Sequence, residues 1–303
     1  MALPIKARAW QLKSDDISID IVPGKIANSY EIIGCGKSGT VYKGDWHSQM
    51  VAVKRLHRVK EEIEDPEGDN FQRIKNEIAI CLRLNHPRIV PFYGACIEDI
   101  QQPSFVTKYC EKGNVLDYVK HHPKVNKLEL VRTSMLYEIS LGMSYIHRNF
   151  IVHANLKASN ILMGDDRKPL IGDFSMSQAK VKGQPDAIPQ KNLSGIIYDA
   201  WTAPEIMSGG PLKYSADVYS FAITSWEIYT QDTPFSDFPE GPSKRRVVER
   251  HERPVCPSKT IPPSLKHLLE LYWAPEPSER PRFVKIANQL KPLKSNGKYL
   301  RAY

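Results

Sequence analysis

Residues 33–41 read IGCGKSGTV and residues 51–54 read VAVK. Gly34, Gly36 and Gly39 make a G-x-G-x-x-G run, with Ile33 before it and Val41 after it. Glycines let a backbone turn tightly and bring its N–H groups close to phosphate oxygens. A dinucleotide-binding reading needs a helix directly after the glycines. A strand-like run, TVYKGDW, follows instead, so the glycines are read as a hairpin over phosphate, the plainer alternative being a hairpin and nothing more. Lys54 closes VAVK fifteen residues after Gly39. At that distance its ammonium is expected to grip the α- and β-phosphates of a nucleotide, although a lone lysine at a strand end is more often merely solvated.

Outward from this hairpin, the first 110 residues are rich in strand-like runs: SYEIIGCG, MVAVKRL and PSFVTKYC. One helix interrupts them. It is expected to start after Asp69, with Gln72 reaching back three residues later. Phe71, Ile74, Ile78, Cys81 and Leu82 recur at helical spacing and are expected to form its buried face. Glu77 lies beside that face, where an acid is unfavourable unless paired, and Lys54 is its natural partner; a surface glutamate is the alternative. From about residue 114 the pattern turns helical. Asn126 and Glu129 give a second capping signal, followed by a stripe of Val131, Met135, Ile139, Met143 and Ile146. Another helix is expected over 215–230, with Val218, Phe221, Ala222, Trp226 and Tyr229 inward. A strand-rich first lobe and a helical second lobe imply an α+β architecture with a cleft between them.

With 303 residues the chain can bury a sizeable core. Its 41% hydrophobic and 25% charged residues exclude a disordered or fibrous chain. No run of about 18 apolar residues suggests a membrane span. The opening MALPIKARAWQLKSDD lacks the apolar core of a secretory signal, so a cytoplasmic location is expected. Cys35, Cys81, Cys96, Cys110 and Cys256 are scattered, with no C-x-x-C, and read as reduced thiols. The net charge of +8 is read as a solvated surface plus a basic phosphate pocket rather than a nucleic-acid site. The densest basic run, KRRVVERHER at 244–253, is broken by Glu249 and Glu252 and reads as an exposed helix face.

Residues 153–160 read HANLKASN, residues 173–175 DFS and residues 201–205 WTAPE. With the glycine run and VAVK, these motifs resemble the protein kinase family over residues 26–293, most nearly its tyrosine-kinase-like Ser/Thr group. The resemblance implies a two-lobed kinase fold: a small antiparallel-sheet N-lobe plus one helix over about 26–107, a hinge at 108–113 and a larger, mainly helical C-lobe over 114–293. Residues 1–25 are then an N-terminal extension, in which DISIDIVPGK can add a strand or plug to the first lobe, and 294–303 a basic tail. ATP with Mg²⁺ is the implied cofactor pair. Ile33, Gly34, Gly36, Gly39, Val41, Ala52, Lys54, Glu77 and Leu162 fall at nucleotide-binding positions. Thr107 falls at the gatekeeper, and Lys108, Tyr109 and Cys110 fall in the hinge whose backbone pairs with adenine. Asn160 and Asp173 fall at the metal ligands, and both offer oxygen, which suits Mg²⁺. Lys157 is the lysine of the Ser/Thr-type catalytic loop. Asp217 falls at the helical Asp that braces this loop, and Arg280 at the partner of Glu205. Cys81, Phe92, His153 and Phe174 fall on the regulatory spine, and simple core packing accounts for them equally.

Four positions depart from the family. Asn155 stands where the family has its catalytic Asp, and an amide has no basic site near neutral pH. Ala154 replaces the Arg that reads a phosphorylated activation loop, so Ser194, Tyr198 and Thr202 would lose that reader if modified. Ser175 replaces the glycine of D-F-G; if that position needs φ > 0, serine costs on the order of 1 kcal/mol. Tyr198 falls where Ser/Thr kinases place a bridging threonine. The losses are selective: groups for nucleotide and metal remain, and groups for proton transfer and loop control are gone. The expected function is an ATP-binding pseudokinase that acts as a signalling switch or scaffold on protein partners the sequence does not name. The alternative is a slow but genuine Ser/Thr kinase. A fold that binds no nucleotide and offers only an interaction surface is a third reading.

Overall fold

β-Branched and aromatic runs dominate the first third of the chain and long apolar periodicities the rest, and the computed structural model divides accordingly. It describes residues 10–19, 31–36, 38–57, 69–97, 103–122, 129–180, 188, 199–236 and 245–293. One unit comprises Met1–Asn85 with Val90–Cys110, the other His86–Ile89 with Glu111–Tyr303. The expected caps at Asp69 and Asn126 and the positions Ser194, Tyr198 and 294–303 lie outside the residues or side chains described.

In the first unit, strands β1 (Ile17–Ile19), β2 (Ile32–Gly36), β3 (Gly39–Trp46), β4 (Gln49–Leu56), β5 (Phe92–Cys96) and β6 (Ser104–Lys108) form one antiparallel sheet. Its order is β1-β3-β4-β6-β5, and β2 also pairs with β3. β3 turns into β4 through His47 and Ser48, both at positive φ (50° and 62°), the backbone that matches the twist of a two-residue hairpin. Side chains alternate across the sheet. Val51 and Val53 face one side and pack with Leu12, Cys96 and Val106. Helix α1 (Asp69–Arg83) packs on the other side, where Ile78 meets Ala95 and Phe105.

The buried face of α1 differs from the sequence expectation. Ile78 and Ile80 are each only 1% exposed, Glu77 is buried, and Leu82 is 46% exposed. At 3.6 residues per turn, Leu82 points about 140° away from Glu77. The stripe is therefore centred on Glu77 rather than flanked by it. The apolar pattern alone hid this because the central position is an acid.

Residues 10–19 run along the sheet: Gln11 bridges Ala95 in parallel, and Ile17–Ile19, within the stretch expected to add a strand, form β1. Ala95 donates its N–H to Trp10 O (2.9 Å) and accepts from Leu12 N–H (3.1 Å). A 3₁₀ turn at Ser14–Asp16 then leads to β1, whose Ile17 and Ile19 pair with Trp46 and Gly44. The segment so runs from β5 at one edge of the sheet to the far side, where β1 pairs with β3. Two glycines make room for it. A Cβ on Gly94 would lie 2.4 Å from Trp10 O, and one on Gly44 would lie 2.5 Å from Ser18 O. Backbone oxygens cannot rotate away, so Gly94→Ala is expected to lift the segment and cost about 1–3 kcal/mol. A lower urea midpoint with faster proteolysis near residue 12 is the expected readout; an unchanged midpoint would mean that the segment adds nothing.

The second unit holds helices α2 (Val115–His121), α3 (Glu129–Arg148), α4 (Pro204–Met207), α5 (Tyr214–Thr230), α6 (Pro263–Tyr272) and α7 (Phe283–Leu290). Two short antiparallel pairs accompany them: β7 (Ile151–Val152) with β10 (Gln178–Ala179), and β8 (Ile161–Met163) with β9 (Pro169–Ile171). Asn114 caps α2 by accepting Asp117 N–H at 2.9 Å. The stripe of α3 (Val131, Met135, Ile139, Met143, Ile146) is buried throughout. Helix α5 exceeds its expectation: every residue from Ala216 to Tyr229 is buried, the pattern of a helix enclosed on all sides. Its Ser220, Thr224 and Ser225 hydroxyls donate to carbonyls one turn back, which lets them sit in the core.

The basic run at 244–253 is not a simple exposed face. Arg245–Glu249 is a π-turn with Val247 fully buried. Arg253 points inward, donating to Trp273 O and Val247 O. None of the five cysteines is in a disulfide. No described helix is long and apolar enough to cross a membrane.

Candidate active site

The sheet register of the first unit gathers the residues expected at the nucleotide. Val41 pairs with Lys54, Lys43 with Ala52, and Ala52 with Thr107. Cross-strand partners share a face, so Val41, Ala52, Lys54 and Thr107 line one face, the one that carries α1. Lys54 Nζ lies 4.0 Å from Glu77 Oε1, and both side chains are largely buried. Ile33 is 40% exposed at the hairpin. Gly34, Gly36 and Gly39 do not have positive φ, so the hairpin does not need them for a left-handed turn. Gly39 is required by contact, because a Cβ there would lie 2.3 Å from Arg55 O. A Cβ on Gly36 would meet nothing within 4 Å, so packing does not account for that glycine. In the stretch expected to be the hinge, Lys108 N–H bonds Pro91 O (3.0 Å), and buried Cys110 turns its Sγ toward Lys108 O (3.9 Å).

The second unit assembles the loop at 153–160. Buried Asp217 of α5 is its anchor. One carboxylate oxygen accepts His153 N–H (2.9 Å) and His147 Nε2 (2.7 Å); the other accepts Ala154 N–H (2.8 Å). Burial alone would push this carboxyl up, but His147 and then His153 outweigh it and hold it below its usual range. Ala154 sits at φ 61°, a left-handed conformation that costs an alanine on the order of 1 kcal/mol and that the Asp217 bond helps to hold. His153 is fully buried; burial lowers its pKa, partly countered by Asp217 and by its bond to Gly172 O. Its ring packs tilted against Phe174, centroids 5.2 Å apart. Ser177 Oγ donates to His153 O.

Asn155, Asn160 and Asp173 come together. Asn155 Nδ2 donates to Asp173 Oδ2 at 2.8 Å, and Asn160 Nδ2 donates to Asn155 O at 2.8 Å. Ser175 Oγ donates to Asp173 Oδ1 at 2.9 Å. The expected strain at Ser175 is absent: its φ is ordinary, and the left-handed residue is Asp173 at 56°. Serine acts here as a hydrogen-bond donor to that residue. Leu162 is half-buried in β8, paired with Leu170. Lys157 Nζ lies 5.8 Å from the centre of the Trp201 ring.

Sequence reasoning passed over Glu227. It accepts Ala158 N–H and Trp201 Nε1–H, both at 3.1 Å, and burial raises its pKa to about 7. A second acid in a largely apolar helix, ten residues after Asp217, was the available signal. At the WTAPE motif, Arg280 makes a two-pronged ion pair with Glu205 at 2.8 and 3.0 Å. Thr202 is tied into a turn with Asp199.

Residues 27–290 match the family described as protein tyrosine and serine/threonine kinase. Among similar proteins, the dual specificity protein kinase shkC of Dictyostelium discoideum is 34% identical over 274 residues, covering 89% of this chain and 52% of that protein. The serine/threonine/tyrosine-protein kinase HT1 of Arabidopsis thaliana is 32% identical over 260 residues, covering 84% of this chain and 63% of that protein. The dual specificity protein kinase pyk3 of Dictyostelium discoideum is 30% identical over 285 residues, covering 94% of this chain and 19% of that protein. The chain thus spans less than two thirds of the length of these relatives.

Proposed function

Because the chain belongs to the protein tyrosine and serine/threonine kinase family, we propose that it is an ATP-binding pseudokinase, a cytoplasmic switch or scaffold in signalling that acts through protein partners. The observation that carries this reading is Asn155, whose amide nitrogen is spent as a donor to Asp173. An amide oxygen can accept a hydrogen bond but has no basic site near neutral pH to take a substrate proton. Ala154 leaves the activation segment without its phosphate-reading arginine.

Lys54 would hold the α- and β-phosphates from the first unit, with Glu77 orienting it. In the second unit, Asn160 and Asp173 suit a divalent cation: both offer hard oxygen, and the Asn160 Nδ2 bond to Asn155 O leaves Oδ1 as the ligating atom. Mg²⁺ bound there would neutralise phosphate charge.

A second reading, a slow Ser/Thr kinase, is favoured by the loop at 153–160, which Asp217 braces through His153 and Ala154 N–H and which also carries Lys157 and Asn160. Losing the general base costs typically ~10²–10⁴-fold, and kinases turn over at roughly 1–100 s⁻¹. Residual turnover would then be on the order of 10⁻⁴–1 s⁻¹.

Two measurements test this. ATP should raise the melting midpoint of the parent and not of Lys54→Ala, since about 100-fold excess over Kd adds about 2.7 kcal/mol by mass action. Radiolabelled ATP with generic protein substrates should give no transfer above an Asp173→Ala control. Transfer that the control abolishes would establish the slow kinase instead. No midpoint shift at millimolar ATP would leave an interaction surface without a nucleotide.

A further inference from the structure

Two of the four departures from the family meet on one carboxylate. Asn155 Nδ2 holds Asp173 Oδ2, and Ser175 Oγ holds Asp173 Oδ1. Asp173 keeps a left-handed backbone, φ 56°, which Asp adopts more readily than most residues. With a donor on each oxygen, the carboxylate has one orientation. The carbonyl of the same Asn155 anchors Asn160. Both candidate cation ligands and both departures therefore belong to a single hydrogen-bonded network inside the second unit.

This network changes what a cation would find. The family's aspartate at position 155 would add a second negative charge beside Asp173 and take away a donor. The family's glycine at 175 would remove the hydroxyl. Here an amide and a hydroxyl instead point their hydrogens at the two oxygens that would attract the ion. Mg²⁺ sheds water reluctantly and needs near-octahedral oxygens at ~2.0–2.1 Å. One carboxylate that already accepts two hydrogen bonds, beside the neutral amide oxygen of Asn160, holds it less strongly than a pair of carboxylates would. The same two donors remove the need for a cation to relieve acid–acid repulsion at the site.

We propose that Asn155 and Ser175 form a two-donor clamp on Asp173 that makes ATP binding nearly indifferent to Mg²⁺. This rests on the nucleotide-binding reading above. Mg²⁺ can be accommodated, but the phosphates depend chiefly on protein groups.

Isothermal titration of the full chain with ATP, once in EDTA and once in millimolar MgCl₂, tests the clamp. The expected Kd values agree within about threefold, whereas in Asn155→Asp/Ser175→Gly the loss on removing Mg²⁺ grows to about tenfold or more, or about 1.4 kcal/mol. A larger than threefold loss in the parent overturns the clamp and leaves nucleotide binding standing. An unchanged ratio in the double variant also overturns it. Absence of ATP binding in both buffers sinks the nucleotide reading and the clamp with it. If the double variant fails to fold, Ser175→Ala removes one donor at an ordinary φ. Its Mg²⁺ dependence should rise above the parent's, and a ratio equal to the parent's counts against the clamp.

Discussion

Asp217→Ala will lower stability by about 3–5 kcal/mol, the scale expected when one member of a buried charged network is removed. The side chain is fully buried and accepts three donors: the N–H groups of His153 and Ala154, and His147 Nε2. Alanine leaves all three without an acceptor in the core, and each buried unsatisfied group costs about 1–3 kcal/mol. Ala154 also loses the bond that holds its left-handed backbone. Asp217→Asn keeps one acceptor oxygen but sets an N–H₂ against a donor, so it should recover only part of the loss. Urea denaturation read by intrinsic fluorescence measures this; a loss under about 1 kcal/mol would mean that the loop is not braced from α5.

The same residue gives a pH dependence. The folded pKa of Asp217 lies below its unfolded value, so the unfolded chain binds the proton more readily. Its contribution is fully present above the unfolded value of about 3.9 and is lost as pH falls through the folded one. The parent should therefore lose stability more steeply than Asp217→Asn below about pH 4. Parallel curves there would remove Asp217 from the account.

Arg280→Met will cost a similar ~3–5 kcal/mol. The guanidinium, with no exposed side-chain surface, grips both oxygens of Glu205 and donates to the carbonyls of Ala274, Ser215 and Pro275. It also packs 5.3 Å from the centre of the Tyr219 ring. Methionine fills much of the volume but strands the Glu205 carboxylate. Arg280→Lys should rescue little, since an ammonium cannot make the planar two-pronged contact. In a cycle with Glu205→Gln the pair should couple by about 1–3 kcal/mol. Additive losses would show that the two residues act separately.

Much of this was legible in the chain itself. The glycine hairpin followed by a strand, VAVK, and the long stripe of α3 each depend on short-range pattern, and short-range pattern fixes which faces strands and helices bury. Asn155, Ala154 and Ser175 could be named as departures because a motif is a local string. Their consequences could not be read from it. Ser175 was expected to be strained, yet the left-handed backbone lies two residues earlier, and the hydroxyl bonds the carboxylate there. Glu77 was placed beside the face of α1, yet it is at the centre, because a period computed from apolar residues skips an acid whose partner is on another element. Glu227 went unremarked for the same reason.

Sequence by itself therefore determined the order of the elements, the kinase family resemblance and the missing base. Tertiary structure alone decided that Trp10–Leu12 pair with β5, that α5 is buried on every side, and that two substitutions 20 positions apart hold one carboxylate. The physical reason is range: alternation, helical period and motif spacing are written along the chain, while the pairing of buried charges and the partners of single hydrogen bonds depend on which segments the fold brings together.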